Sequence, residues 1–143
     1  MFGSLDISTS GMVAQRVRLD AISANLANQN TLLDAQGNVN PFRRREVFLA
    51  PGSPNAADER GRELGVHVSA IGEDQRQILP RVHDPSSPFA FKDGPFKGYV
   101  AETGINSVTE NINAVEAVRA YEANVMAAEA TKQITTSALR LLA

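Results

Sequence analysis

Residues 107–142 read SVTENINAVEAVRAYEANVMAAEATKQITTSALRLL, and this stretch decides the fold. Ser107-Val108-Thr109-Glu110 has the form of a capping box, in which the serine hydroxyl and the glutamate carboxylate satisfy backbone donors that a helix start leaves unpaired. Neither Gly nor Pro follows to break the helix. Val108, Ile112, Val115, Val118, Tyr121, Val125, Ala128, Thr135, Leu139 and Leu142 recur at three- and four-residue steps, with Lys132 in the one polar slot. That is the pattern of a coiled-coil seam. A helix over this span is about 50 Å long at 1.5 Å per residue, longer than the core of one small domain covers, so it requires a helical partner.

Working outward, the N-terminal segment from Ser4 to Asn30 supplies that partner. Leu5, Met12, Leu19 and Leu26 fall seven residues apart, and Ile22 lies on the same stripe. A second apolar line, Val13, Val17, Ala21 and Ala24, lies on a different face of the same helix, so one intramolecular partner leaves apolar surface uncovered. That surplus points to neighbouring subunits. Asn25, Asn28 and Asn124 interrupt these helical patterns, where Asn is a mediocre helix former. Two readings stay open: Asn28 and Asn30 end the first helix as caps, and Asn25 and Asn124 fix the register of packed helices as a polar coiled-coil core residue does.

Composition bounds the function. The 143 residues are 43% hydrophobic and 21% charged with a net charge of -2, one domain's worth of ordinary globular chain. Such a balance gives no electrostatic reason to expect nucleic acid, whose phosphates are bound by clustered Lys and Arg. With no cysteine, disulfides and thiolate metal sites are excluded. No run of about 18 apolar residues reads as a membrane span, and no Sec-type signal peptide is read at the N-terminus.

Between Thr31 and Asn106 lie all seven prolines, from Pro41 to Pro95, so the middle is not one helix. Arg45–Leu49 and Leu64–Ile71 read as strands, and Ile78–Val82, interrupted by Pro80, reads as an edge strand at best. Residues 51–58 form turns. From Asp84 to Gly104 the chain reads as an extended arm carrying Phe89, Phe91, Phe96 and Tyr99, half of the eight aromatics, and ordered against a neighbour.

Chemistry-bearing residues are sparse. His67 and His83 have no ligand-spaced companion, so they read as strand or loop histidines rather than a metal site. Asp58, Glu59, Glu63, Glu73 and Asp74 lack an accompanying nucleophile and read as solvated carboxylates. Gly61 and Gly65 make no phosphate-binding loop. Arg43-Arg44-Arg45, the only basic run, reads as a subunit contact or a protected strand edge. Arg119 with Glu116 and Glu122 reads as surface pairing. No catalytic, metal or cofactor residue is assigned, and neither a cofactor nor a small-molecule substrate is expected.

Two motifs carry a resemblance. Ser10-Gly11-Met12-Val13-Ala14-Gln15-Arg16-Val17-Arg18-Leu19-Asp20 with Asn25-Leu26-Ala27-Asn28 and Thr31, and Arg119-Ala120-Tyr121-Glu122-Ala123-Asn124-Val125 with Lys132 and Leu139, resemble the N- and C-terminal signatures of the bacterial flagellar rod and hook axial proteins. The short length and the SGMxAQRxRLD wording are most similar to the proximal-rod members. Gly98-Tyr99-Val100 also matches, whereas residues 102–106 stand where a Pro-Asn-Val-Asn turn is usual and residues 91–97 read as an insertion.

The resemblance implies a non-catalytic, helically packed subunit of the basal-body rod that transmits motor torque. It implies contact with copies of itself, other rod proteins, the MS-ring and export-gate junction, and the hook-basal-body adaptor. It also implies periplasmic placement after export by the flagellar type III apparatus without a cleaved signal peptide. An export chaperone or adaptor built as a soluble helical hairpin is the alternative.

The expected fold is mainly α: an antiparallel, coiled-coil-like hairpin of the terminal helices around a small irregular β and loop middle, divided at 1–31, 32–106 and 107–143. The expected subunit-packing residues are Leu5, Met12, Leu19, Ile22, Asn25, Leu26 and Asn28 in the first helix, Val118, Tyr121, Asn124, Val125 and Leu139 in the last, and Phe89, Phe91 and Phe96 in the arm.

Overall fold

The computed structural model describes residues 2–52, 64–74, 76 and 80–142. In chain order its elements are α1 (Phe2–Ala27), β1 (Arg45–Pro51), β2 (Val66–Glu73) and α2 (Ser107–Leu142). Gly11 faces Asn124, Arg18 meets Glu116 and Asn25 meets Glu110, so the two helices run antiparallel as expected. This register sets Phe2 opposite Gln133, and residues 134–142 of α2 continue beyond the start of α1.

The helices meet through a different stripe from the one the apolar series suggested. On α2 the inward positions are Glu110, Ala117, Ala120, Asn124, Ala128 and Thr131, with Glu110 and Ala117 buried and the others half-buried. On α1 they are Ser8, Gly11, Ala14, Ala21, Ile22 and Asn25, all buried. Small side chains let two helix backbones approach closely. Gly11 is the tightest point, where a Cβ would sit 2.7 Å from Asn124 Oδ1. Val108 (65% exposed), Ile112, Val115, Val118, Tyr121 and Leu139 instead face outward, and Val125 is half-buried. The heptad line of α1 divides similarly: Ile22 is core, whereas Leu5, Met12, Leu19 and Leu26 are half-buried. In the second line Ala21 belongs to the core and Val13 is 57% exposed.

The helix ends also differ from expectation. Asn106, not Ser107, caps α2: its Oδ1 accepts from Val108 N at 2.9 Å and Thr109 N at 3.2 Å. The Glu110 side chain is thereby free to turn inward. At the other helix Asn28 closes α1, donating both its backbone N–H (3.1 Å) and its Nδ2 (2.9 Å) to Ala24 O, which is the cap reading of that residue.

β1 and β2 form a two-stranded antiparallel sheet; β1 runs two residues beyond the expected Leu49, and β2 is displaced by two residues from the expected 64–71, leaving Leu64 and Gly65 outside it. The register shifts after Phe48, where Ser69 is the extra residue and its hydroxyl donates to Phe48 O at 3.0 Å. That bulge breaks the strict alternation read from Leu64 onward. Of the third strand candidate, Ile78 and Leu79 lie outside the described residues, and Pro80–Val82 carry no strand.

The arm is closed on itself rather than extended. His83 pairs with Tyr99 and Ala90 with Val100 as single bridges, and Ala101 N donates to Phe89 O at 3.0 Å. Gly98 makes the reversal possible, with φ 83° and a Cβ position only 2.9 Å from His83 Nε2. Phe91 and Phe96 pack against each other at 6.3 Å and Tyr99 stands edge-on to His83 at 4.9 Å. Thr103 anchors the arm to the hairpin by donating to Gln29 O at 2.6 Å.

Candidate assembly interface

Asn25 joins three elements at one point. Fully buried, it accepts at Oδ1 from Arg45 N (2.8 Å) and donates Nδ2 to Arg45 O (3.0 Å) and to Glu110 Oε2 (2.9 Å). The amide therefore takes both backbone groups of one β1 residue as a neighbouring strand would, while holding the start of α2. It sits where the register residue was expected. Asn124 does less: its Nδ2 donates to Ala120 O within its own helix at 2.8 Å, and its amide fills the space above Gly11.

Glu110, 1% exposed, extends the network through Oε1 to Arg44 Nε at 2.7 Å. Arg44 also pairs with Glu46, and Arg76 reaches Glu46 at 3.7 Å and pairs with Asp74. A line of alternating charge thus runs from the helix core across the sheet end at which Arg45 stands opposite Glu73. Burying a carboxylate is costly unless it is paired and hydrogen-bonded, and here an arginine and an amide meet that condition. The middle residue of the basic run is therefore an internal tie. Arg45 rests over the Phe42 ring at 5.5 Å, and Arg43 is exposed.

The Arg76 guanidinium and N–H beside Asp74 hold its carboxyl at about 2, below the ordinary 3.8. Because the folded value is the lower one, the contribution of this pair is complete above about pH 4 and lost as pH falls through 2. Carbon-detected NMR should follow the Asp74 carboxyl titrating near pH 2, and Arg76→Ala should return it towards 3.8. An ordinary titration in the unmodified chain would show that the pair does not persist in solution.

The remaining assigned residues fall on two kinds of surface. Val118, Tyr121 and Leu139 are exposed on α2, and Phe89 is exposed on the arm; Phe91, Phe96, Leu5, Met12, Leu19 and Leu26 are half-buried. Glu116 pairs with Arg18 at 3.3 Å rather than with Arg119. Asp58, Glu59, Glu63 and Gly61 lie outside the described residues. His67 meets Gly52 O at 2.9 Å through Nδ1. Among the described residues no three His, Asp or Glu side chains gather where they could hold a metal, and no helix is long and apolar enough to cross a membrane. Sequence reasoning missed the inward roles of Arg44, Glu110, Ala117 and Thr103. It also passed over Gly11, whose isolated position inside a helical pattern is itself a sign of close packing.

Among the described residues the buried apolar side chains are Ala14, Ala21, Ile22, Ala90, Ala101 and Ala117, five alanines and one isoleucine. Eighteen larger apolar side chains are exposed. At roughly 0.8 kcal/mol per buried methyl-sized group, such a core contributes little, whereas the outside carries the apolar area of an interface.

Comparison with known proteins agrees with this geometry. The family model described as flagella basal body rod protein matches residues 5–32, which are α1 and the turn after it. The flagellar basal-body rod protein FlgC of Borreliella burgdorferi is 34% identical, the alignment covering 99% of this chain and 97% of the relative. FlgC of Bacillus subtilis is 36% identical over 98% and 97%, and FlgC of Aquifex aeolicus 37% identical over 94% and 91%.

The chain belongs to the FlgC family of flagellar basal-body rod proteins.

The segment matched by the family model contains Gly11, Ala14, Ala21, Ile22 and Asn25, the α1 side of the helix contact and the tie to β1. Before the last helix this family member uses Thr103 to anchor the arm and Asn106 to cap α2.

Proposed function

We propose that the chain is a structural subunit of the proximal rod, packing through its terminal helices with copies of itself and with other rod proteins to form a torque-transmitting shaft. The exposed apolar inventory carries this reading: among the described residues eighteen large apolar side chains are exposed, whereas five of the six buried apolar side chains are alanines. Val108, Ile112, Val115 and Met126 crowd one outer side of α2, with Val118 and Tyr121 on its flank. Such a surface on a thin monomer core marks an interaction site, and covering it adds to the stability of the fold. The MS-ring and export-gate junction and the hook-basal-body adaptor are the proposed neighbours at the rod's ends. Periplasmic placement by the type III apparatus, without a cleaved signal, follows from the same reading. The reading assigns the Asn25–Glu110 network a structural role, since each polar atom of Asn25 and the Glu110 carboxylate is occupied by another protein group. The relatives give the chaperone alternative no support.

The test is a strain of the source bacterium lacking this chain and complemented with a tagged copy. The reading expects hookless, non-motile cells in the deletion, and the tagged chain in purified basal bodies after complementation. Hooks at wild-type number in the deletion, or a tag confined to the cytoplasm with the export machinery's clients, would overturn it.

A further inference from the structure

The two-stranded sheet is held to α1 by opposite edges at its two ends. At one end Arg45, on the outer edge of β1, is bonded to Asn25; at the other, Val66 N, on the outer edge of β2, donates to Ser10 Oγ at 3.1 Å. The twisted hairpin therefore crosses α1 obliquely, and a wedge opens between β1 and α1 beyond Arg45. Its walls are Ala21 and Ile22 of α1 and Val47 and Leu49 of β1, with Arg18 and Arg45 at the mouth.

The ladder fixes which backbone groups face that wedge. Asp74 N donates to Arg44 O and Gly52 N to Gly65 O, so these are bonded pairs at the two ends of the sheet. Antiparallel pairs alternate between bonded and non-bonded, and with the shift after Phe48 the non-bonded positions of β1 are Arg45, Val47 and Leu49. Their N–H and C=O groups point away from β2. Asn25 takes those of Arg45, and Pro51 ends the edge with no N–H to offer. Among the described residues the groups of Val47 and Leu49 have no partner. They form a window two residues apart, roughly 7 Å along the strand, with Leu49 39% exposed.

We propose that this free edge of β1 is a docking site that takes an extended acidic peptide from a partner protein as a third strand. Main-chain pairing to an open sheet edge supplies the geometry of such recognition. Charge selects the occupant. Glu46, which also lines the wedge, is paired with Arg44; among the described residues Arg45 has no ion-paired carboxylate and lies over Phe42, and Arg18 pairs with Glu116, which is 62% exposed. Alternating apolar residues on the peptide would cover Val47 and Leu49, and carboxylates between them would meet the two arginines. The proposal does not depend on the rod reading, since it concerns a surface away from the outer side of α2.

The probe is a fluorescein-labelled seven-residue peptide of alternating valine and glutamate, titrated into the full chain by anisotropy, with the valine and lysine peptide as comparison. Saturable binding of the acidic peptide is expected, with the basic one weaker by about tenfold or more. Leu49→Pro removes one outward donor without touching the ladder and should weaken binding roughly tenfold. Ile71→Pro, the same change on the opposite edge, should leave it unaltered. In the unmodified chain, amide exchange at Val47 should slow on peptide addition, a readout that needs no variant to fold. Equal affinity for the two peptides, equal loss in the two proline variants, or unchanged Val47 exchange would overturn the proposal. So would self-association of the chain that Leu49→Pro abolishes while the acidic peptide never binds, because the occupant would then be a second copy.

Discussion

Val115→Asp together with Val118→Asp is expected to abolish swarming while leaving the helical content and solubility of the isolated chain unchanged. Both side chains are already in water in the monomer, 50% and 42% exposed, and substitutions at such positions usually alter stability by about 0.5 kcal/mol or less. Once the face is covered by a neighbour, each unpaired carboxylate costs several kcal/mol, on the order of 2–7 for a buried polar group without partners. The cost recurs in every copy along a shaft. Circular dichroism of the purified variant and swarm diameter of the complemented strain give the two readouts. Normal swarming would remove α2's outer face from the interface, and loss of helicity in the monomer would show that the residues are not free there.

Glu110→Ala should be the most destabilising single change in the hairpin. It strips Arg44 of its buried partner and leaves one Asn25 hydrogen without an acceptor. Breaking a buried ion pair from one side costs about 3–5 kcal/mol, a large part of what a small domain has in total. Glu110→Gln keeps the shape and one acceptor, so its cost should be smaller, about 1–3 kcal/mol. Glu116→Ala removes a pair of the same charge type between the same helices, but that pair is exposed and should be worth at most about 1 kcal/mol. Urea denaturation followed at 222 nm ranks the three. If Glu110→Ala proves as mild as Glu116→Ala, the buried network does not hold the hairpin closed.

The paired helices were legible because hydrophobic period and, in α2, the absence of Gly and Pro act locally, within one element. Which side of each helix turns inward was not. Val108, Ile112, Val115 and Val118 make a persuasive apolar line, and in an isolated protein such a line is the core; here the line of Ala117, Ala120, Asn124 and Ala128 turns inward instead, with Ala117 buried and the others half-buried. Hydrophobicity alone ranks Ala117 below Val118, but close backbone approach favours the smaller side chain, and Gly11 on α1 was the local hint of that approach. Glu110 was misassigned for a related reason. A glutamate three residues after a serine reads as a cap, and only the long-range neighbours Asn25 and Arg44 reveal its other role. The arm was misjudged because its closure depends on single bridges and on Gly98, with no repeating pattern for a sequence to display. Asn25 was legible as a residue that needs partners, since a buried amide inside an apolar helix demands them, and it finds them in Arg45 and Glu110.

The unequal lengths of α1 and α2 give the hairpin a direction. At the end where the chain turns, Asn28 and Asn106 close the two helices at nearly the same level. At the other end α2 projects past Phe2 by residues 134–142, about 13 Å at 1.5 Å per residue, with Ile134, Leu139 and Leu141 uncovered. One end is flush and the other protrudes, so the two are not interchangeable, and a column in which every end-to-end contact is the same has every member pointing the same way. A growing shaft made of such units has a built-in sense of up and down before any other protein touches it.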